Sequence, residues 1–557
     1  MAQIYDLSMT TGRRLGDVEG GRLMVASSKV DAIIVGAGHN GLVTAGYLAK
    51  AGLKVTVLER RHIVGGTCTT EEIAPGFRIS RTSYVAGMLL PEVVRDFRMK
   101  DYGFRVDVPD PSGFHPFPDG RYLLAYGDAA KRRQQLAKYS SRDAEAYEEF
   151  EKDLTRLGPF INEILRTTPP GFPPAGFKDY WTYLKLARKL QRLGKKDVRH
   201  LMELMTTSCA EYLDKRFEST EIKVTLAANG IIATSIGVMT PGSAYVLLHH
   251  IMGEAIGAEK SWGYVHGGMG SITSILARAC QDLGVEIRTD AEVDQVLIQD
   301  SRVQGVVLKN GDELQSRAVV SNADPKRTFL QMVEARHLDP QFLKDIRNYK
   351  MHGCSVKVNC ALAELPDWKC LPGQAPEAPH QRAMFEIAPS MEYLEQAFDD
   401  LKYGRPSQRP FIDGNIASTM DDSLAPEGKH VMSLYVQYGP YHLREGTWPE
   451  IREKVGDIVI DTLAEYAPNI RSAIIAREVL TPWDLEQEFG LTEGNAYQGE
   501  ITPDQLFFLR PAPGWADYRS PVKGLYLCGA GAHPGGGVMG AAGMNASREI
   551  LRDIRTH

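Results

Sequence analysis

The sequence predicts an α/β fold, in which a doubly wound nucleotide-binding domain is assembled from three separated pieces of chain and an α+β substrate domain containing a helical region is inserted between them. Three observations carry this prediction. A strand, a glycine turn, a helix and a second strand follow one another between Val30 and Gly66. A second glycine turn that opens a helix and leads into a strand lies at 263–293, and a strand ending in a glycine-rich loop lies at 524–543. The intervals between them give expected nucleotide-domain pieces of 30–106, 259–335 and 515–557. The substrate domain is expected at 107–258 and 336–514, and a loose extension at 1–29.

The first piece is the most informative. The apolar run Ala32 to Val35 enters Gly36-x-Gly38-x-x-Gly41; Ala45 and Leu48 follow at helical spacing, and Val55, Val57 and Leu58 lead into Glu59. Gly36 permits the tight turn, Gly38 lets the backbone approach a pyrophosphate, and Gly41 lets the helix pack close to the strand. The helix N-terminus offers unpaired N–H groups and a partial positive charge to phosphates. Glu59, at the end of the second strand, is placed to accept hydrogen bonds from a ribose and would repel a 2′-phosphate. Glycine turns are common, so the motif gains its weight from the register of strand, turn, helix and acidic terminus together. The pair Gly65-Gly66 just beyond Glu59 resembles the N-terminal signature of two-dinucleotide-binding flavoproteins, where it packs beside the flavin's phosphates. FAD is therefore the expected cofactor.

At 557 residues the chain is long enough for two or three domains with buried cores, and a net charge of -6 excludes a general affinity for nucleic acid. Cys68, Cys209, Cys280, Cys354, Cys360, Cys370 and Cys528 form no CxxC pair and no Cys/His ligand pattern, which predicts reduced thiols, no metal site and a cytosol-like compartment. Cys68 sits in a GGTC sequence like that of redox-disulfide enzymes, but the partner cysteine such a site needs is replaced by Ile73. The first 29 residues carry Asp17 and Glu19 and no apolar stretch after Arg13-Arg14, so neither a secretory, twin-arginine nor mitochondrial signal is expected. No run of eighteen apolar residues appears, so no membrane-spanning segment is expected.

Along the rest of the chain, Arg78, Arg81 and Tyr84 are candidates to line the flavin ring, with surface arginines and a core tyrosine as the alternative. Residues 107–128 read as a hairpin turning at Pro118-Asp119-Gly120, with His115 a structural residue within it. The pattern from Ala129 to Ile251 is helical. Within it, 177–196 sets Tyr180, Tyr183, Leu184, Ala187, Leu190 and Leu193 against Lys185, Arg188, Lys189, Arg192, Lys195 and Lys196. The preferred reading is a surface helix packed on its own domain, with peripheral contact to a membrane surface as the alternative. In the second piece, Gly267-Gly268-Met269-Gly270 opens a helix, Val285 to Ile287 form a strand, and a meander is expected over Val293 to Ile298, Val303 to Leu308 and Ala318 to Val320. In the last piece a strand ends at Cys528 and a closing helix is expected from Val538 to Ile550.

The sequences GAGHNGL with LERRHIVGG, WGYVHGGMGS and LYLCGAGAHPGGGVMGAAG together resemble the phytoene desaturase, carotenoid isomerase and retinol saturase group of flavoproteins, over nearly the whole chain from about Lys29. The resemblance implies a Rossmann-type FAD-binding domain of the glutathione-reductase/amine-oxidase kind. It places FAD contacts at Gly36, Gly38, Gly41, Glu59, Arg61, Gly65, Gly66, Thr67, Val293, Gly529, Ala530, Gly537, Val538 and Met539. It implies dehydrogenation, saturation or isomerisation of C–C bonds in apolar small molecules.

No second strand–GxGxxG–helix unit with an acidic end is found, so a separate NAD(P)H domain is not expected and oxygen, a quinone or a carrier protein receives the electrons. The leading expectation is an FAD-dependent oxidoreductase that transfers hydride from a substrate C–H to flavin N5 within an apolar tunnel. Polar candidates to orient substrate or take a proton are His249, His250, Tyr497, Gln498 and Glu500, residue types that more often serve structure than catalysis. The alternatives are a redox-neutral polyene isomerase and a flavin-bearing interaction or assembly protein. The intact Gly36, Gly38 and Gly41 argue for working FAD binding.

Overall fold

Five parallel strands position the site: Ala32–Val35, Val55–Leu58, Glu286–Arg288, Val319–Ser321 and Leu525–Leu527 in this computed structural model, which describes residues 30–256 and 261–555. The expected extension at 1–29 and the expected boundary at 258/259 lie outside the described residues. In space the order is 525–527, 319–321, 32–35, 55–58, 286–288, so the sheet draws on widely separated parts of the chain. Ile33, Ile34, Val57, Val319 and Val320 are wholly buried. Continuous apolar runs of this kind are what a parallel sheet covered on both faces requires. The helix His39–Lys50 follows the first strand, and the helix Gly270–Asp282 follows the second glycine turn.

Two sequence expectations are corrected here. Ala318 to Val320 does not join the meander: Val319–Ser321 pairs in parallel with both Ala32–Val35 and Leu525–Leu527, and the third meander strand is Glu313–Gln315. The reason is burial, since all of 319–321 is covered, whereas only Leu314 of Glu313–Gln315 is buried. The closing helix runs over Ala541–Arg555 instead of starting at Val538, because Gly540 has φ +76, a left-handed conformation that cannot continue into a helix.

The substrate domain contains a seven-stranded sheet in the order 474–480, 355–362, 430–437, 411–415, 384–387, 113–116, 122–125. The hairpin expected at 107–128 supplies its last two strands, Gly113–Pro116 and Tyr122–Ala125. Every residue of Ser355–Leu362 is buried, yet the strand has two chemical faces. Val356, Val358, Cys360 and Leu362 pack with Val455, Val459 and Leu463 of the helix Trp448–Ala464, while Ser355 and Lys357 line a cavity.

Helices Ser141–Arg166, Phe177–Thr206 and Ser243–Ile256 dominate the helical region, whose core gathers Leu154, Leu157, Leu204, Tyr212 and Leu213. The Ser140 hydroxyl caps the first of these helices by accepting from the Asp143 N–H. The helix from Phe177 meets the preferred reading only in part. None of residues 177–196 is fully buried, and the first buried residue is Asp197. Of its apolar stripe, Tyr183, Leu190 and Leu193 are half-buried against the body, while Tyr180, Leu184 and Ala187 are exposed.

Candidate active site

One cavity of about 1840 Å³ is lined by the glycine turn, the seven-stranded sheet and the helical region. This exceeds the roughly 300–1,000 Å³ of ordinary small-molecule sites, so it can hold both a dinucleotide and a substrate. Of the residues expected at FAD, Gly36, Gly38, Glu59, Arg61, Gly65, Gly66, Thr67, Val293, Ala530, Gly537 and Val538 line it. Gly41, Gly529 and Met539 stand behind the lining. A Cβ on Gly41 would lie 2.3 Å from the Gly36 carbonyl oxygen, and one on Gly529 would lie 2.6 Å from that of Asn322. The Met539 carbonyl accepts the Leu90 N–H at 3.1 Å.

Local geometry holds this end open. The Gly65 N–H donates to the Ala37 carbonyl at 3.0 Å, tying the second glycine pair to the first turn. Glu59 accepts the Ala37 N–H at 2.8 Å through Oε2 and the Arg61 N–H at 2.9 Å through Oε1. Helix His39–Lys50 begins at Gly38 with no side-chain cap, which leaves first-turn N–H groups for an anion. Two buried nitrogens lining the cavity have no hydrogen-bond partner: Arg61 Nη1 and His39 Nε2. Arg61 is otherwise fixed, donating from Nη2 to Glu71 at 2.8 Å and lying 4.7 Å from the Phe489 ring centre. Burial holds His39 down at about 4, so it is neutral. Orphaned donors or acceptors, an uncapped helix and a side-chain-free approach at Gly38 fit the phosphates and ribose of FAD. Asn322, which sequence reasoning missed, shapes the same turn: a Cβ on Gly38 would lie 2.6 Å from its Nδ2. Its signal was a polar residue directly after a buried strand, in SNADP.

The five polar candidates divide. Tyr497, Gln498 and His250 line the cavity. His250 Nδ1 is 2.9 Å from the Val246 carbonyl and Nε2 is 2.9 Å from the Tyr497 hydroxyl. The carbonyl can only accept, so Nδ1 carries the proton, Nε2 accepts, and Tyr497 donates. Burial lowers His250 to about 4 and raises Tyr497, so both stay neutral at pH 7. Gln498 donates through Nε2 to the Asn322 carbonyl at 3.2 Å and accepts the Gly531 N–H at 3.0 Å. His249 and Glu500 are not among the lining residues. His249 meets His250 edge-on at 5.5 Å, and burial lowers it to about 3. Glu500 accepts from the Ser235 hydroxyl at 2.9 Å, and burial raises it to about 7. The fully buried Arg510 donates to the carbonyls of Glu500 at 2.8 Å, Tyr497 at 3.0 Å and Ala530 at 2.7 Å, which fixes the loop that carries Tyr497 and Gln498.

A second polar group in the cavity was not found from sequence: Lys357, Asp413, Glu386 and His115, joined by Tyr84. Lys357 Nζ donates to the Ser433 hydroxyl and lies 4.8 Å from the Tyr84 ring centre. The Tyr84 hydroxyl donates to Asp413, and its ring stacks on Tyr435 at 5.7 Å. His115 Nδ1 is 3.2 Å from Glu386 Oε2. Burial raises the Asp413 carboxyl and the Glu386 charge adds to this, with Tyr84 and Lys357 opposing. Burial lowers Lys357 to about 7, opposed by Asp413 and Glu478. Lys357 therefore exchanges its proton near neutral pH beside a carboxyl that burial raises. Of the other ring candidates, Tyr84 lines the cavity. Arg78 is exposed, and Arg81 is bound to Glu478 at 2.7 Å, to Glu71 at 3.4 Å and to Glu488. Phe150, Leu154, Leu226, Ile232, Ile251 and Trp262 supply apolar lining. Cys68 is buried and unpaired, its thiol pushed up to about 12, and no dithiol exists there.

A Rossmann-type sheet whose first glycine turn opens on a large, partly apolar cavity defines an FAD-dependent oxidoreductase. Residues 41–551 match the family described as flavin containing amine oxidoreductase, and the chain belongs to that family. Pyridine nucleotide-disulfide oxidoreductase domain-containing protein 2 of Rattus norvegicus is 40% identical over 94% of this chain and 94% of its own. A limonene dehydrogenase polypeptide of Castellaniella defragrans is 27% identical over 94% and 95%. A lycopene-forming phytoene desaturase of Pseudescherichia vulneris is 25% identical over 91% and 96%. Among solved structures, putrescine oxidase bound to putrescine shares the fold with a TM-score of 0.57 and 15% identity, over 95% of this chain and 99% of that one.

Proposed function

We propose that this flavoprotein removes two hydrogens from adjacent carbons of an apolar substrate and leaves a C=C bond. The observation that carries the reading is the Lys357–Asp413–Tyr84 group, in which the Lys357 amine is poised to take a proton, set in the same cavity as the glycine turn. The substrates in the names of two relatives, limonene and phytoene, support an apolar substrate.

Bound FAD supplies the two-electron acceptor for one C–H bond. Gly36, Gly38, Gly65 and Gly66 with the first-turn N–H groups would hold its pyrophosphate, and Glu59 and Arg61 its ribose. Phe150, Leu154, Ile232 and Trp262 exclude water and align the chain of the substrate. Lys357 Nζ, pulled down to about 7, is neutral often enough to take the proton from the neighbouring carbon. Asp413 and Ser433 then stabilise the resulting ammonium. Tyr497, held as a donor by His250, and Gln498 orient the substrate.

One observation favours a second reading, oxidation of an amine: the buried carboxyl of Asp413 and the half-buried one of Glu386 beside the stacked Tyr84 and Tyr435 suit an ammonium group. Anaerobic mixing of the flavin-loaded protein with monoterpenes, longer polyenes and amines decides between them. Bleaching of oxidised flavin by the alkenes is expected. Bleaching by amines alone transfers the assignment to the second reading, and no bleaching by either class overturns both. Lys357→Met lowers the bleaching rate by roughly 10²–10⁴-fold with flavin content unchanged. In the wild type the rate rises with pH through about 7, as the Lys357 amine loses its proton, and the variant's profile is flat there.

A further inference from the structure

Five of the exposed large apolar side chains among the described residues fall within 172–184: Phe172 at 51%, Phe177 at 83%, Tyr180 at 61%, Trp181 at 44% and Leu184 at 41%. Isolated exposed apolar residues are ordinary, but a contiguous group marks a contact surface. Here it is ordered. Phe172 stacks on Phe508 at 4.7 Å, Phe177 stacks on Trp181 at 6.4 Å, and the Tyr183 hydroxyl donates to the Gly171 carbonyl at 3.2 Å. Along the next turns, up to the break in the helix at Gly194 (φ +80), Lys185, Arg188 and Arg192 are exposed, and none has an acidic partner among the described residues. The helix is anchored to the body by Lys178–Glu549 at 3.1 Å, Lys189–Glu163 at 2.6 Å and Lys196–Asp153 at 3.3 Å. In a chain of net charge -6, this is a local concentration of positive charge beside exposed aromatics.

We propose that Phe172 and the first half of helix Phe177–Thr206 dock in the plane of an anionic lipid bilayer, with the aromatic side chains at the headgroup level and the basic stripe on the lipid phosphates. No helix among the described residues is long and apolar enough to cross a membrane, so the contact is peripheral. Charge complementarity selects this occupant over a second copy of the chain. A two-fold contact through the same face would set these three cations against their own equivalents, whereas an anionic surface neutralises all of them.

The test is flotation of the flavin-loaded protein with vesicles of phosphatidylcholine alone and of phosphatidylcholine with phosphatidylglycerol, at low and high salt. Flotation with the phosphatidylglycerol vesicles, weakened by salt, is expected. It is accompanied by a blue shift in the Trp181 emission, read as the difference from Trp181→Phe. Lys185→Glu/Arg188→Glu/Arg192→Glu lowers the partitioning roughly 100-fold, and Phe177→Ser/Trp181→Ser/Leu184→Ser abolishes it, with flavin content as the check on folding. The charge variant alters only exposed side chains and keeps the test decisive where the serine variant folds poorly. Equal flotation with both vesicles, or none with either, overturns the proposal. So does a dimer that the serine variant converts to monomer, since the face then belongs to a second copy.

Discussion

Glu500 and Lys357 are both buried ionisable residues, and their surroundings give them different work. Glu500 sits behind the cavity with Ser235 and Asn495 and is raised to about 7, while the same group in the unfolded chain titrates near its ordinary value of 4.5. Below about pH 4.5 both states hold the proton. Between there and about 7 the folded state keeps a proton that the unfolded chain has released, so stability falls as pH rises through that window. The full penalty, on the order of 3 kcal/mol, is present above it. Glu500→Gln removes the charge and keeps an acceptor for Ser235. The variant is therefore expected to melt higher than wild type at pH 8, to match it near pH 4, and to bleach with substrate at the wild-type rate. Thermal melts at the two pH values check the first two statements, and a lost bleaching rate would return Glu500 to the catalytic group. The sequence offers Glu500 as one of five polar candidates to orient substrate or take a proton. It offers no sign of Lys357, because the run SVKVNCAL does not say what lies against each of its faces. Lys357 is covered by groups far away in sequence, the Tyr84 ring 4.8 Å from its Nζ and the Ser433 hydroxyl to which it donates.

The strand–turn–helix unit at the glycine turn was legible because its constraints are local. Gly36 needs φ +95, and Gly41 has the Gly36 carbonyl where a side chain would begin. That contact is backbone to backbone at 2.3 Å from the built Cβ, so it cannot be relieved by a rotamer change. Gly41→Ala is expected to push the helix from the strand and release FAD. Gly38→Val fills the space beside Asn322 and is also expected to purify colourless. In both, the helical region keeps its own core of Leu154, Leu157, Leu204, Tyr212 and Leu213, so far-UV circular dichroism changes little. A yellow Gly41→Ala protein would remove the packing argument. The strand Val319–Ser321 was not legible in the same way, because three buried residues announce a strand and not its neighbours. Likewise the period of 177–196 was readable, but a period gives a helix its face and says nothing about what covers it.

At the scale of the whole molecule, the distribution of the sheet over distant pieces explains why a sequence can reveal the cofactor and hide the substrate. The glycine turns mark their own ends of the cavity, whereas Tyr84, His115, Lys357, Glu386 and Asp413 reach it from elements spread across more than three hundred positions. The same architecture bears on where the electrons go. Among the described residues the five parallel strands form one sheet, and of the two GxGxxG sequences, Gly36 to Gly41 and Gly535 to Gly540, only the first leads through a helix into a strand with an acidic end, Glu59. A nicotinamide dinucleotide therefore has no second unit of that kind, outside the one assigned to the flavin, on which to place its pyrophosphate and ribose. The bilayer contact proposed above would bring the molecule instead to the phase where lipid-soluble quinones reside. Anaerobic NADH or NADPH is accordingly expected to leave the flavin oxidised over many turnover times, while a short-chain quinone reoxidises substrate-bleached protein. Vesicle-embedded quinone should do so faster for the wild type than for Lys185→Glu/Arg188→Glu/Arg192→Glu, with equal rates when the quinone is water-soluble. Rapid bleaching by NADPH would show that the cavity admits a second nucleotide and would reverse the direction of electron flow. Equal rates with embedded quinone would separate the electron acceptor from the basic helix.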